Sequence, residues 1–172
     1  MFMFKHLFFV FIIVQMFYTT AAFSEEFSKE LTTNHTPELM KFYEYLHANP
    51  ELSFQEFKTA AVLASELKKL GFEVKEKIGR TGIVGVFRNG KGPTVLVRTD
   101  MDALPVLENT KLPYASKTVA RNDKGLDTGV MHACGHDLHM TNWVGTARIL
   151  LSIKSKWSGT CLLYTSPSPR DS

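Results

Sequence analysis

The stretch that most constrains this sequence is Thr94-Val95-Leu96-Val97, a continuous apolar run closed by Arg98-Thr99-Asp100-Met101-Asp102. A short apolar run bounded by turn residues reads as a central strand covered on both faces of an α/β sheet. In open α/β sheets, sites form beyond the carboxyl ends of such strands. Asp100 and Asp102 therefore fall where chemistry is expected.

The elements before it read in order. Thr36-Pro37-Glu38 has the form of a helix N-cap with proline at the first helical position, and Leu39, Phe42, Tyr43 and Leu46 then recur with helical spacing. That helix should run to about His47 and stop before Pro50. Ser53-Phe54-Gln55-Glu56 has the form of a capping box, and Phe57, Ala60, Ala61, Ala64 and Leu67 make one apolar face ending at Gly71. Phe72–Ile78 and Ile83–Phe87 read as strands, and Asn89-Gly90 is a strong hairpin signal. The glycines at 79, 82 and 85 lack the spacing of a dinucleotide-binding loop, and a strand follows them where a helix should begin. Residues 105–128 read as one long loop, a length more often functional than structural.

That loop leads to Val-Met-His-Ala-Cys-Gly-His-Asp at residues 130–137. Cys134 and His136 stand one residue apart, so in an extended or tightly turning segment a thiolate and an imidazole can converge on one metal ion. The plainer reading is a buried thiol beside a hydrogen-bonding histidine, since the four-ligand spacings of a structural zinc site are missing. Leu138, Met140, Trp143, Val144, Ala147, Leu150 and Leu151 then give helical periodicity, with Gly145 for close packing. His139 lies one turn from His136 and reads as a substrate-facing or supporting residue more than a ligand.

Both ends are set aside. Met1–Lys5 is a short basic start, residues 6–18 are apolar, and the small residues before Glu25 complete the layout of a secretory signal peptide over residues 1–24. The apolar run is shorter than the ~20 residues of a spanning helix, so export to the periplasm or medium is expected, without a stable membrane anchor after cleavage. From Cys161 the chain reads Cys-Leu-Leu-Tyr-Thr-Ser-Pro-Ser-Pro-Arg-Asp-Ser, which looks like translated library-adapter sequence, so residues 161–172 are expected to be a non-native tail that interrupts a strand opened at Gly159. With Cys161 discounted, a disulfide framework is excluded. A redox thiol is disfavoured because no resolving cysteine is at hand. A net charge of +3 without a basic run gives no reason to expect nucleic acid.

Three ordered motifs carry a family resemblance: Leu-His-Ala-Asn-Pro-Glu-Leu-Ser-Phe-Gln-Glu at 46–56, Arg-Thr-Asp-Met-Asp-Ala-Leu-Pro at 98–105 and Met-His-Ala-Cys-Gly-His-Asp at 131–137. Together they resemble the amidohydrolase branch of the two-metal aminoacylase and carboxypeptidase family, which includes hippurate hydrolase, N-acyl amino acid amidohydrolases and plant indole-acetyl-amino acid hydrolases. The resemblance covers residues 36–160. It implies a zinc-exopeptidase-like catalytic domain, a mixed sheet between helices, of which residues 25–160 are the N-terminal part, truncated before a lid domain that makes a homodimer. It implies Cys134 and His136 as ligands of two divalent ions, Zn, Mn or Co, and Asp102 as the acid that orients a metal-bound histidine. Asp100 occupies the place of a metal-binding histidine in carboxypeptidase relatives, so its role, like that of Asp137, stays open. The implied reaction is hydrolysis of a small N-acyl amino acid by a metal-activated water, with a downstream Glu moving the proton. That Glu is absent here, so this chain alone is expected to be inactive. A non-catalytic metal- or peptide-binding relative is the alternative.

Overall fold

The structure is a computed structural model that describes residue 29 and residues 32–166. The leader read over residues 1–24 and the prolines of the tail lie outside the described residues. The chain divides into two units, residues 1–37 and 38–172. In the first, residues 32–37 are helical, and the hydroxyls of Thr33 and Thr36 donate to the carbonyls of Lys29 and Thr32, 2.8 Å in each case. Thr36 therefore does not cap a helix. Its hydroxyl closes onto the preceding turn, the bond that competes with capping.

In the second unit, α1 (residues 38–48) stops two residues before Pro50, as the proline requires. Helix α2, Phe57–Lys69, starts without the expected capping box: Glu56 is the cap residue but makes no side-chain capping bond, and its carboxylate is engaged by Thr81 at 2.7 Å instead. The orphan N–H groups of the first turn are satisfied by Glu51, which accepts from Lys58 at 3.2 Å and Thr59 at 2.7 Å. The buried face is Thr59, Ala60, Leu63, Ala64 and Leu67, while Phe57 is 54% exposed. The predicted stripe was thus rotated at its N-terminal end, where the apolar Phe57 lies outside the core.

Strands β1 (Glu73–Ile78), β2 (Gly82–Asn89), β3 (Thr94–Asp100) and β6 (Gly159–Ser166) form one mixed sheet in the order β1-β2-β6-β3, with β6 antiparallel to β2 and parallel to β3. Two expectations are overturned by this order. Asn89-Gly90 does not join a hairpin, because β6 lies between β2 and β3. Among the described strands β3 is an edge, with Val95 58% and Leu96 57% exposed; an apolar run announces a strand but not its neighbours. Nor does the strand opened at Gly159 break after Thr160. It continues to Ser166 and buries Cys161, Leu163 and Thr165 on alternate positions, the period a strand packed on one face requires. Residues 105–128 are also not a plain loop, since β4 (Val119–Arg121) and β5 (Asp127–Gly129) pair antiparallel within that region. The Asn122 side chain accepts the N–H groups of Lys124 and Leu126 at 3.0 Å and closes their turn.

Helix α3, His136–Ser152, packs against β3, α2 packs against β1 and β2, and the two helices touch. Leu63, Leu67, Ile83, Met140, Trp143, Val144 and Leu163 form the core between them. Leu138, expected on that face, is 51% exposed. The architecture is a mixed α/β sheet flanked by helices. It brings the carboxyl end of β3 beside the amino end of α3.

Candidate metal centre

Gly135 sits at φ +75°, a left-handed conformation that a side chain would strain, and this lets α3 begin at His136 immediately after Cys134. The turn aims His136 at the end of β3. Its Nδ1 donates to the main-chain oxygen of Asp102 at 2.8 Å, with the Asp102 carboxylate 3.0 Å away. Both residues are buried. The Asp102 carboxylate is the main cause that pushes the His136 pKa up to about 9, burial opposing it. A metal ion would have to displace the Nε2 proton; in the neutral ring that results, Asp102 keeps the proton on Nδ1 and leaves the lone pair on Nε2, the tautomer a metal ligand needs.

Cys134 is half-buried in the turn just before. Thiolate and imidazole together make a donor set that suits Zn, so these two residues fit the ions that the sequence implies. They are not a complete shell: among the described residues, no three His, Cys, Asp or Glu side chains converge as a preformed ion site. Asp100 is drawn into an ion pair with Arg98 at 2.7 Å, and His139 stands with its ring centroid 5.9 Å from that of His136. Asp100 and His139 share a shallow cleft of about 300 Å³ with Asn142 and Trp143. A larger cleft of about 500 Å³ opens on the other flank, bordered by Ser53, Gln55, Arg80, Asp102, Leu104 and Asn122. Asp102 thus lies between the histidine and a space large enough for a small substrate.

The family model for peptidase family M20/M25/M40 matches residues 96–168, the segment that carries Asp102, Cys134 and His136. Over 132 residues the chain is 43% identical to hippurate hydrolase of Campylobacter jejuni, covering 76% of this chain and 32% of that protein. It is 44% identical over 128 residues to thermostable carboxypeptidase 1 of Saccharolobus solfataricus, covering 73% and 30% respectively. Its fold superposes on the crystal structure of YXEP from Bacillus subtilis, a dinuclear metal-binding peptidase of the M20 family, with a TM-score of 0.67 and 34% identity over 81% of this chain and 36% of that one.

The chain belongs to peptidase family M20.

It spans about a third of the length of these M20 relatives. Four buried titratable residues around this candidate site escaped the reading of the sequence, although the motifs that carry the resemblance contain three of them. His47, at the end of α1, places Nδ1 2.7 Å from Asp137 Oδ2 and Nε2 3.0 Å from Glu108 Oε1. Asp137, open on sequence, is therefore held from α1. Glu56 is fully buried, and burial raises its pKa against the bond from Thr81, with the Asp102 charge adding to the rise. His132 is 4% exposed with no hydrogen-bond partner on either ring nitrogen. Burial pulls its pKa down to about 4, so it is neutral at pH 7. Only Glu108 lies outside the quoted motifs; nothing in its surroundings in the sequence marks it.

Proposed function

We propose that the full-length protein is an exported metal-dependent amidohydrolase that cleaves the amide bond of N-acyl amino acids of the hippurate type. The observation that carries this reading is His136, fixed through Nδ1 by Asp102 with Nε2 left over, one residue from Cys134. When bound, two divalent ions would lower the pKa of a water and polarise the amide carbonyl. Cys134 and His136 would hold them, and Asp102 would keep the imidazole in its ligating tautomer. The cleft beside Asp102 would take the substrate. The name of the Campylobacter relative supports an N-acyl amino acid as substrate, and export rests on the layout of residues 1–24.

The test is Cys134→Ala in the full-length protein, with metal content and hydrolysis followed together on hippurate, other N-acyl amino acids and unblocked dipeptides. Metal and activity should fall in parallel, and blocked substrates should be preferred in the wild type. Unchanged metal stoichiometry in the variant would refute the ligand assignment, and preference for dipeptides would move the protein to the peptidases. Residues 25–172 alone are expected to show no turnover with either Zn or Mn supplied.

A further inference from the structure

On the far side of Asp137 from the metal-site turn, three segments distant in sequence meet at one imidazole. His47 comes from the end of α1, Glu108 from the region that follows β3, and Asp137 from the first turn of α3. The side chains of all three are at least nine-tenths buried: 6% of His47, none of Glu108 and 2% of Asp137 remain accessible. Each ring nitrogen has a carboxylate oxygen within hydrogen-bond distance, at 2.7 Å and 3.0 Å. Carboxylates only accept, so both nitrogens must donate, and only an imidazolium does that.

The two carboxylates use their remaining capacity on main chain. Asp137 Oδ1 accepts the N–H of Leu138 at 2.9 Å, inside the first turn of α3, where a negative charge also meets the favourable end of the helix dipole. Glu108 Oε2 accepts the N–H of Ser116 at 2.6 Å, Oε1 accepts the Thr110 hydroxyl, and Ser116 in turn donates to the Val130 carbonyl at 2.7 Å. One carboxylate thus fixes the helix that begins with His136, and the other, through Ser116, fixes the chain that runs on from Asp102 against Val130, where the metal-site turn begins. Helix α3 has no side-chain N-cap of its own, since Gly135 stands at that position. Tyr43 and Tyr114 wall the imidazole, with centroids 5.7 Å and 5.4 Å away, and keep water off it.

We propose that His47 is a positioning residue: a doubly donating imidazolium that clamps Glu108 to Asp137 and so holds His136 and Asp102 in the geometry that binds metal. The direct contact between His136 and Asp102 is one brace across the site, and the clamp is a second, built from residues other than the proposed ligands Cys134 and His136. Burial works against the charge on His47, but its bonds to Glu108 and Asp137 outweigh it and raise its pKa above 6.5. The same bonds, with those of Thr110 and Ser116, overcome burial at Glu108 and lower its pKa.

The inference rests on the reading of Cys134 and His136 as ligands, and the experiment separates the two. In the full-length protein, His47→Gln supplies one donor where two are needed, and Glu108→Gln removes one end of the clamp more gently. Competition of apo-protein with a chromophoric chelator for Zn should give a dissociation constant raised roughly 10- to 100-fold in His47→Gln, the usual effect of losing a supporting partner of a metal ligand, and by a smaller factor in Glu108→Gln. Activity should return at saturating Zn, which a loosened fold would not show. Nitrogen-15 NMR of the wild-type imidazole at pH 7.5 should find protons on both ring nitrogens. Folded variants with Zn affinity within twofold of wild type would overturn the clamp and leave the hydrolase reading standing. If His47→Gln does not fold, Glu108→Gln and the wild-type spectrum decide alone, and a neutral His47 overturns the clamp. A wild type that takes up no Zn would overturn both.

Discussion

Thr81→Val tests whether the buried Glu56 is held by a single hydroxyl. Glu56 is fully buried at the start of α2; Oε2 accepts from Thr81 at 2.7 Å and Oε1 has no partner. Valine keeps the shape of threonine and leaves no cavity, so the change isolates the hydrogen bond. A bond to a charged group is worth about 1.5–3 kcal/mol and a neutral one about 1 kcal/mol, so the loss should depend on which form of Glu56 is present. Burial places the folded pKa of Glu56 above its ordinary 4.5. Folding therefore favours the protonated form, and stability falls as pH rises from 4.5 through the folded value, then levels off. Removing the Thr81 hydroxyl, which lowers that pKa, should raise it further and deepen the fall. Urea unfolding of the full-length protein should show a loss of about 2–3 kcal/mol at pH 8 and about 1 kcal/mol at pH 4. In a Glu56→Gln background the cost should shrink to about 1 kcal/mol at both pH values, since only a neutral bond is lost. Equal losses at the two pH values in the parent, or full additivity of the two changes, would refute the reasoning.

Further outcomes follow from packing, capping and the ends of the chain. A Cβ on Gly82 would stand 2.6 Å from the Ile78 carbonyl oxygen, which is main chain and cannot yield, so Gly82→Ala should cost about 1–3 kcal/mol in the same unfolding assay. A Cβ on Gly145 would meet the tip of Leu39 at 2.9 Å; that side chain can turn away, and the gain in helix propensity of up to about 1 kcal/mol should leave Gly145→Ala near neutral. Glu51→Ala removes the acceptor for two first-turn N–H groups of α2 and should cost about 1–2 kcal/mol, measured by the same route. Mass spectrometry of the protein from its host should find a mature N-terminus near Phe23 or Glu25, and an intact Met1 on a cytoplasmic species would count against export. Sequencing the genomic locus should replace residues 161–172, while keeping small or apolar side chains at 161, 163 and 165 because those positions are buried in the strand.

What was legible in the sequence is what repeats locally. The α2 stripe, the turn into α3 and the existence of β1, β2 and β3 all follow from spacing along a few residues. What was not legible depends on partners distant in the chain. The exposed face of β3 could not be read from Thr94–Val97, because the strand that separates it from β2 arrives some sixty residues later, at Gly159. The capping box failed for a related reason. Ser53 and Glu56 have the right spacing, but Phe54 turns to φ +59° and Glu56 is taken by Thr81, a long-range bond that outcompetes the local one.

The site divides along the same line. Cys134 and His136 could be named because a one-residue spacing is itself a geometric statement. Asp102 could be proposed because it lies just beyond the carboxyl end of β3 and inside a motif that carries the resemblance. His47 could not, since its meaning lies in two carboxylates that stand 61 and 90 residues away in the chain. A histidine near the end of a helix is ordinary until both of its nitrogens are seen to face buried acids. Those acids would carry uncompensated charge without it, and breaking such a pair costs far more than the pair contributes. That asymmetry gives His47 influence over the site without contact with it: the imidazolium is required wherever Glu108 and Asp137 are both buried and ionised. Holding them together fixes the two chain segments from which Asp102 and His136 project.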